Sequence, residues 1–288
     1  MLLQATYSQK GLGISLAAKR IDNLDFRSDR NATFNNLTLN FLPPQTKQHT
    51  YRLATLFPYA TQPLGEFGIQ GEIMYKLKRG SALGGKYGTN ITANYSRLSG
   101  IDTVHTADPL EGYTSSFADF DPKTVYFQDI NIEISRKFSK KWKGTLNYLY
   151  IVYSKSLFKQ LTGFNTTEQV KSHVVIADIT YKIKPKNTLR MEFQHAHTKQ
   201  EFGSWAMILA EYTLAPHWFV AVFDEYNYGN AIESQRLHYY SAQVGYNWGE
   251  YRIAGGYGRQ RAGVLCVGGV CRVVPAANGF NLTVSGTF

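Results

Sequence analysis

Apolar and polar residues alternate, position by position, through one segment of this chain after another. In 187–199, Leu189, Met191 and Phe193 oppose Arg190, Glu192 and Gln194. In 125–138, Ile130, Ile132 and Ile134 oppose Asp129, Asn131 and Glu133. In 171–184, Val175, Ala177, Ile179, Tyr181 and Ile183 oppose Asp178, Thr180 and Lys182, and in 237–248 Tyr240, Ala242, Val244 and Tyr246 oppose Ser241, Gln243 and Asn247. A period of two belongs to the β-strand, whose successive side chains point to opposite faces. Such segments, roughly 9 to 15 residues long and rich in Tyr, Phe, Val and Ile, alternate with turn-like breaks over the whole chain. We read strands near 2–8, 11–20, 35–42, 49–57, 66–79, 86–98, 125–138, 142–155, 171–184, 187–199, 203–214, 217–228, 237–248, 251–264 and 278–288. The alternation fails in 217–228, where Asp224 and Glu225 fall on opposite faces. It is weak in 49–57, which reads equally as a short helix after Pro43-Pro44.

The breaks alternate in length. Short ones fall at 80–85, 139–141, 185–186, 215–216 and 249–250. Longer ones fall at 99–124, 156–170, 229–236 and 265–277, and only the connection near 200–202 is short where a long one is due. Membrane β-barrels keep short turns at one rim and long loops at the other. Aromatics flank the short turns: Phe138 and Trp142, Tyr212 and Trp218, Trp248 and Tyr251. Rings at the rims of an apolar band match an interfacial girdle. The last segment, Asn278 to Phe288, puts Phe280, Leu282, Val284 and Phe288 on one face and Asn281, Thr283, Ser285 and Thr287 on the other, like the closing strand of an outer-membrane barrel. No run of about 18 apolar residues is present to make a membrane helix.

These patterns predict one all-β domain over 1–288, an antiparallel transmembrane β-barrel of about 14 or more strands, with long outer loops near 99–124, 156–170 and 265–277. The start, MLLQATYSQKGLG, has neither the charged nor the apolar region of a secretory signal. Counting 2–8 as a strand makes the total odd, whereas single-chain bacterial barrels have an even number. Both features lead us to expect a chain truncated at its N-terminus.

The excess of 31 Lys+Arg over 21 Asp+Glu gives a net charge of +10, yet the basic residues collect in short turns such as Lys137 to Lys143 and Lys182 to Lys186. They form no patch of the kind nucleic acid requires, so no nucleic-acid partner is expected. Cys266-Val-Gly-Gly-Val-Cys271 has Gly268-Gly269 where a two-residue hairpin turn would sit. The cysteines are then directly opposed, at a separation of about 4.5 Å that suits a disulfide. Zinc held by two thiols with no histidine nearby, and reduced thiols, are the weaker readings. The loop 99–124 holds Asp102, Asp108, Glu111, Asp119 and Asp121 without the spacing of a calcium loop, so we read it as solvated and acidic. His195 and His197 lack a third zinc ligand, and Ser204 near His197 lacks an orienting partner. We therefore expect no enzyme activity, metal or cofactor.

Asp129, Glu133, Asp178, Lys182, Arg190 and Glu192 fall on the polar face of their strands. A charge at the middle of a bilayer costs roughly 2–4 kcal/mol, so in a barrel they face the lumen. They either line an aqueous path or pair with one another. The corresponding functions are a pore or uptake channel for small polar solutes, and a non-conducting structural or surface-interaction barrel. The partners would be outer-membrane lipid together with small polar solutes or surface proteins.

Several motifs carry a resemblance: FRSDR (Phe26 to Arg30), TKQHTY (Thr46 to Tyr51), FPYATQ (Phe57 to Gln62), GSALGGKYGT (Gly80 to Thr89) and, most specific, CVGGVCRVVPAANG (Cys266 to Gly279). Over essentially the whole length the chain resembles a family of uncharacterised outer-membrane barrel proteins of Bacteroidota. The resemblance implies a location in the bacterial outer membrane and a longer N-terminus. It carries no biochemical activity, so no functional residue is transferred.

Overall fold

The computed structural model describes residues 1–29, 31–32, 37–40, 42–106, 112–155, 169–267 and 270–286. Its strands are β1 (Leu2–Gln9), β2 (Leu12–Asp22), β3 (Gly65–Leu77), β4 (Thr89–Ser99), β5 (Thr103–His105), β6 (Tyr113–Ser115), β7 (Val125–Lys137), β8 (Trp142–Ser154) and β9 (Gln169–Lys184). They continue with β10 (Asn187–His197), β11 (Trp205–Leu214), β12 (Trp218–Tyr226), β13 (His238–Trp248), β14 (Tyr251–Gln260), β15 (Gly263–Val267), β16 (Val270–Val274) and β17 (Ala277–Gly286). Thirteen strands make one antiparallel sheet in the order β1-β2-β3-β4-β7-β8-β9-β10-β11-β12-β13-β14-β17, while β5–β6 and β15–β16 are separate hairpins. Each wall strand thus pairs with its neighbour in the chain. Among the described residues no ladder joins β1 to β17, so the sheet has two free edges.

The connections fall mostly short at one end and long at the other, as the breaks in the sequence predict, but 78–88 is as long as 227–237 and longer than 198–204. One end of the sheet carries 10–11, 78–88, 138–141, 185–186, 215–217 and 249–250. The other carries 23–64, 100–124, 155–168, 198–204, 227–237 and 261–276. At the short end Trp142 stacks on Tyr181 with centroids 4.3 Å apart, and Trp218 meets Tyr246 edge-on at 4.7 Å. Trp218, Trp248, Tyr251 and Phe138 are exposed there.

The two faces of the sheet differ as the alternation requires. Ile132, Ile134, Val175, Phe193, Val220, Val222, Val244 and Ile253 are exposed on one face. Asp129, Asn131, Asn147, Ser172, Glu192, Gln194, Ser241 and Gln243 are buried on the other. A globular protein in water would bury the first set and expose the second. The inner face is covered because the sheet curls around residues 43–59, which follow β2 and touch side chains of β2, β3, β7, β8, β10 and β12. The strands at the edges are covered least: β1 is exposed along its whole length, and in β17 Phe280 is 91 % exposed.

Two expected strands are absent, and thirteen wall strands stand where about 14 or more were expected. Residues 51–57 form turns, with Arg52, Leu53 and Ala54 all buried. A segment packed inside the sheet, with its remaining residues half-buried, has no regular alternation of solvent and core faces, which is why its sequence loses the period of two. In 35–42 the chain contributes only an isolated bridge, Arg27 to Thr38, and residues 35, 36 and 41 lie outside the described residues. Phe288 and the Gly268-Gly269 of the expected hairpin turn also lie outside them. On either side of these glycines Cys266 pairs with Cys271, and the two form a disulfide.

Candidate functional site

The interior of the sheet, with 43–59 inside it, is where the chain concentrates its buried charge. At the β2–β3 side, Lys19 Nζ lies 2.9 Å from Glu66 Oε1 and donates to the Pro43 carbonyl at 2.8 Å. Glu66 also accepts from the Tyr59 hydroxyl, and from Gln62 N at 2.9 Å. Farther round, Lys47 Nζ donates to Asn131 Oδ1 at 3.0 Å and lies 3.4 Å from Glu72 Oε2. His49 Nε2 sits 2.6 Å from Asp129 Oδ2. Leu53 N donates to Gln194 Oε1 at 2.8 Å. On the far wall Arg52 Nε meets Glu225 Oε2 at 2.6 Å, and Arg261 Nε meets the other oxygen of Glu225 at 2.5 Å.

The inner segment supplies cations and the wall supplies most of the carboxylates. Burial pulls the Arg52 guanidinium below its ordinary range, and Arg261 beside it acts in the same direction. The paired Glu225 carboxylate opposes both and keeps the charge in place. Burial likewise raises the Tyr59 phenol well above its ordinary value, and the Glu66 carboxylate beside it adds to the shift. Apolar contacts complete the filling. Leu53 and Ala54 join the core with Leu98, Phe127, Leu149 and Ile176, while Phe57 lies against Tyr153 and Tyr59 against Phe127.

The six polar-face residues singled out in the sequence are all on the inner face, but in different surroundings. Asp129 is fully buried against His49. Arg190 bridges Asp178, 3.0 Å from its Nε, and Glu192. Glu133 accepts from Asn147 Nδ2 at 3.4 Å, and Lys182 is exposed next to the short turns. Sequence reasoning did not single out Lys19, Lys47, His49, Arg52, Glu66, Glu72 or Glu225. One signal was present for Glu225. The broken alternation at Asp224-Glu225 is the point where Glu225 turns inward to two arginines, while Asp224 stays outside, 2.8 Å from His238 Nδ1.

The remaining candidates have structural partners. Ser204 Oγ lies 3.2 Å from His197 Nδ1, and it also meets the Thr198 carbonyl at 3.3 Å and Thr198 N at 3.4 Å, so it ties the β10–β11 connection together. His195 Nε2 is 2.6 Å from the Tyr228 hydroxyl. Asp119 and Asp121 accept from backbone N–H groups two residues on, both at 2.8 Å. Asp108 and Glu111 lie outside the described residues. No group of three or more His, Cys, Asp or Glu is placed to hold a metal ion among the described residues.

A family model matches the chain over residues 1–288. The chain belongs to DUF6029, a family of unknown function. No curated protein matches it. For this DUF6029 member the functional argument rests on the sheet and on the charged segment held within it.

Proposed function

We propose that the chain is the wall and plug of an outer-membrane β-barrel. In this reading residues 43–59 fill the lumen, and the protein is a non-conducting scaffold that presents its long connections at the cell surface. The observation that carries it is the pairing of Lys47, His49 and Arg52 with Glu72, Asp129 and Glu225 inside a sheet whose other face is apolar and exposed. An apolar outer band flanked by aromatics, over an interior plugged by the chain itself, suits a lipid-embedded barrel and not a soluble sandwich. Backbone polar groups cannot face hydrocarbon unpaired, so the reading requires the free edges of β1 and β17 to be hydrogen-bonded in the membrane, to each other or to further strands.

A pore for small polar solutes is the second reading. It is favoured by the inner face near the short turns, where Lys182 is exposed and Thr180 and Arg190 are only half-buried. Planar-bilayer recording separates the two. The scaffold reading expects silence from the wild type and channels from a variant lacking residues 44–58. Steady wild-type channels, with an ion preference that moves toward cations in Arg190→Glu, would replace it with the pore. The membrane location is tested first, by outer-membrane fractionation and heat-modifiable migration. Recovery as a stable monomer without detergent would reject both.

A further inference from the structure

At the end of the sheet that carries the long connections lies a cavity of about 320 Å³, near the lower limit for small-molecule sites. We propose that it binds a neutral carbohydrate, one or two sugar rings in size. Its wall is aromatic. Phe57 comes from the inner segment, Phe202 and Trp205 from the entry to β11, and Tyr239 from β13. The Trp205 and Tyr239 rings stack with centroids 6.0 Å apart. Exposed Phe202 and Gln235 mark its mouth.

Polar groups are few, and all but Arg261 are neutral. Asn227 lines the cavity and is 3 % exposed, and its Oδ1 is buried with no hydrogen-bond partner among the described residues. Leaving a buried carbonyl unpaired is costly, and turning it toward a ligand hydroxyl would relieve it. Asn230 spends its Oδ1 on Ile232 N at 2.9 Å, which leaves its Nδ2 to offer as a donor. The one charged residue of the lining, Arg261, is committed elsewhere. Its Nε goes to Glu225 at 2.5 Å, its Nη1 to the Ala262 carbonyl at 3.2 Å and its Nη2 to the Arg52 carbonyl at 3.0 Å, while its guanidinium lies 5.5 Å from the Trp205 ring centre. The lining thus holds no carboxylate for a cation, and its one guanidinium is engaged by a carboxylate, two carbonyls and a ring. A pyranose ring has an apolar C–H face and a rim of hydroxyls that both donate and accept, which matches aromatic walls bearing amide acceptors and donors.

The cavity is also held in shape before any ligand arrives. Gly203 and Gly229 bring the 198–204 and 227–237 connections into backbone contact, with Gly229 N donating to the Ser204 carbonyl at 3.0 Å. A side chain on either glycine would collide with the opposite backbone, and Gly203 has a φ of +71° that favours glycine.

The test is a titration of the whole chain in a detergent without a sugar headgroup. The probes are glucose, galactose, N-acetylglucosamine, maltose and cellobiose, read by tryptophan fluorescence and by calorimetry. At least one sugar should bind saturably. Asn227→Ala should weaken that binding about tenfold, the equivalent of one lost hydrogen bond. Tyr239→Ala should weaken it further. Trp205→Phe should remove the fluorescence change while calorimetry still reports binding. Each variant is compared with the wild type by thermal melt, and Asn227→Ser serves as the conservative alternative if Asn227→Ala melts early. No saturable binding of any of the five sugars would overturn the proposal. So would wild-type affinity in both Asn227→Ala and Tyr239→Ala, or saturable binding of indole where the sugars fail. Because the cavity is built from connections at one end of the sheet, this outcome is independent of whether the lumen conducts.

Discussion

Arg52 Nε lies 2.6 Å from Glu225 Oε2, with the two side chains only 2 % and 0 % exposed. The pair is the deepest attachment of the inner segment to the wall. Arg261 completes it from the third side, so one carboxylate is shared by two guanidinium groups. Glu225→Gln should therefore leave the buried Arg52 and the half-buried Arg261 facing a neutral amide. Breaking a buried pair from one side costs about 3–5 kcal/mol. The expected result is a clear drop in melting temperature in detergent. The apolar double variant Arg52→Met/Glu225→Leu should recover part of it, since it strands fewer charges. A melt unchanged by Glu225→Gln would mean the pair does not hold the segment.

The outer face can be tested with one charge. Phe193 is 42 % exposed on the apolar side of β10. In a bilayer Phe193→Arg should cost roughly 2–4 kcal/mol at mid-depth and impair assembly. Arg190→Gln, on the opposite face of the same strand, should assemble but melt lower, because it leaves Asp178 and Glu192 without the guanidinium between them. Equal assembly and equal melting of both variants would reject the assignment of faces.

Gly245 tests how tightly the inner face is filled. A methyl group there would overlap the Phe219 ring on the paired strand, and that ring is itself held with Arg252 4.3 Å from its centre. Gly245→Ala should destabilise by about 1–3 kcal/mol, the usual range for overpacking. Adding Phe219→Leu should restore much of the loss. A melt unaffected by Gly245→Ala would show that the ring has room to move.

An alkaline titration follows from Tyr51 and Tyr59, both in the inner segment. Burial holds each phenol above its ordinary value of 10.0. The carboxylates of Asp178 and Glu192 add to the shift at Tyr51, and that of Glu66 adds to it at Tyr59. A folded pKa above the unfolded one gives stability that is fully present below about pH 10 and is lost as the pH rises through the folded value. Melting temperature should thus fall steeply above about pH 10. The variant Tyr51→Phe/Tyr59→Phe should have a flatter alkaline branch. An identical profile in that variant would exclude these two phenols as its source.

The wall was legible in the sequence because each strand pairs with its neighbour in the chain and one face of each strand is apolar. Ile132 and Asn131 declare their faces by alternation alone, and most of the long connections are told from the short ones by simple counting. What fills the wall was not legible. Lys47 finds Asn131 and His49 finds Asp129 only through the curl of the sheet, and no local pattern encodes such a meeting. His49 to Phe57 looked ambiguous as strand or helix because it is neither. It is core that carries its own charges, and its apolar and charged residues both point toward protein.

The order of the chain has a kinetic consequence. The wall is a run of neighbouring hairpins, each able to form soon after it is made. The fastening of the inner segment is not local, since Arg52 and Glu225 are separated by 173 residues. Contacts that close so large a loop form late and slowly. During synthesis and assembly the early strands β2, β3 and β4 must therefore exist with the segment that follows β2 held only by its contacts to β2 and β3, at Lys19, Glu66, Gln70 and Glu72, and with Arg52 still hydrated. Arrival of β12 is the step that withdraws that arginine from water, so the nascent protein is sealed from its C-terminal side.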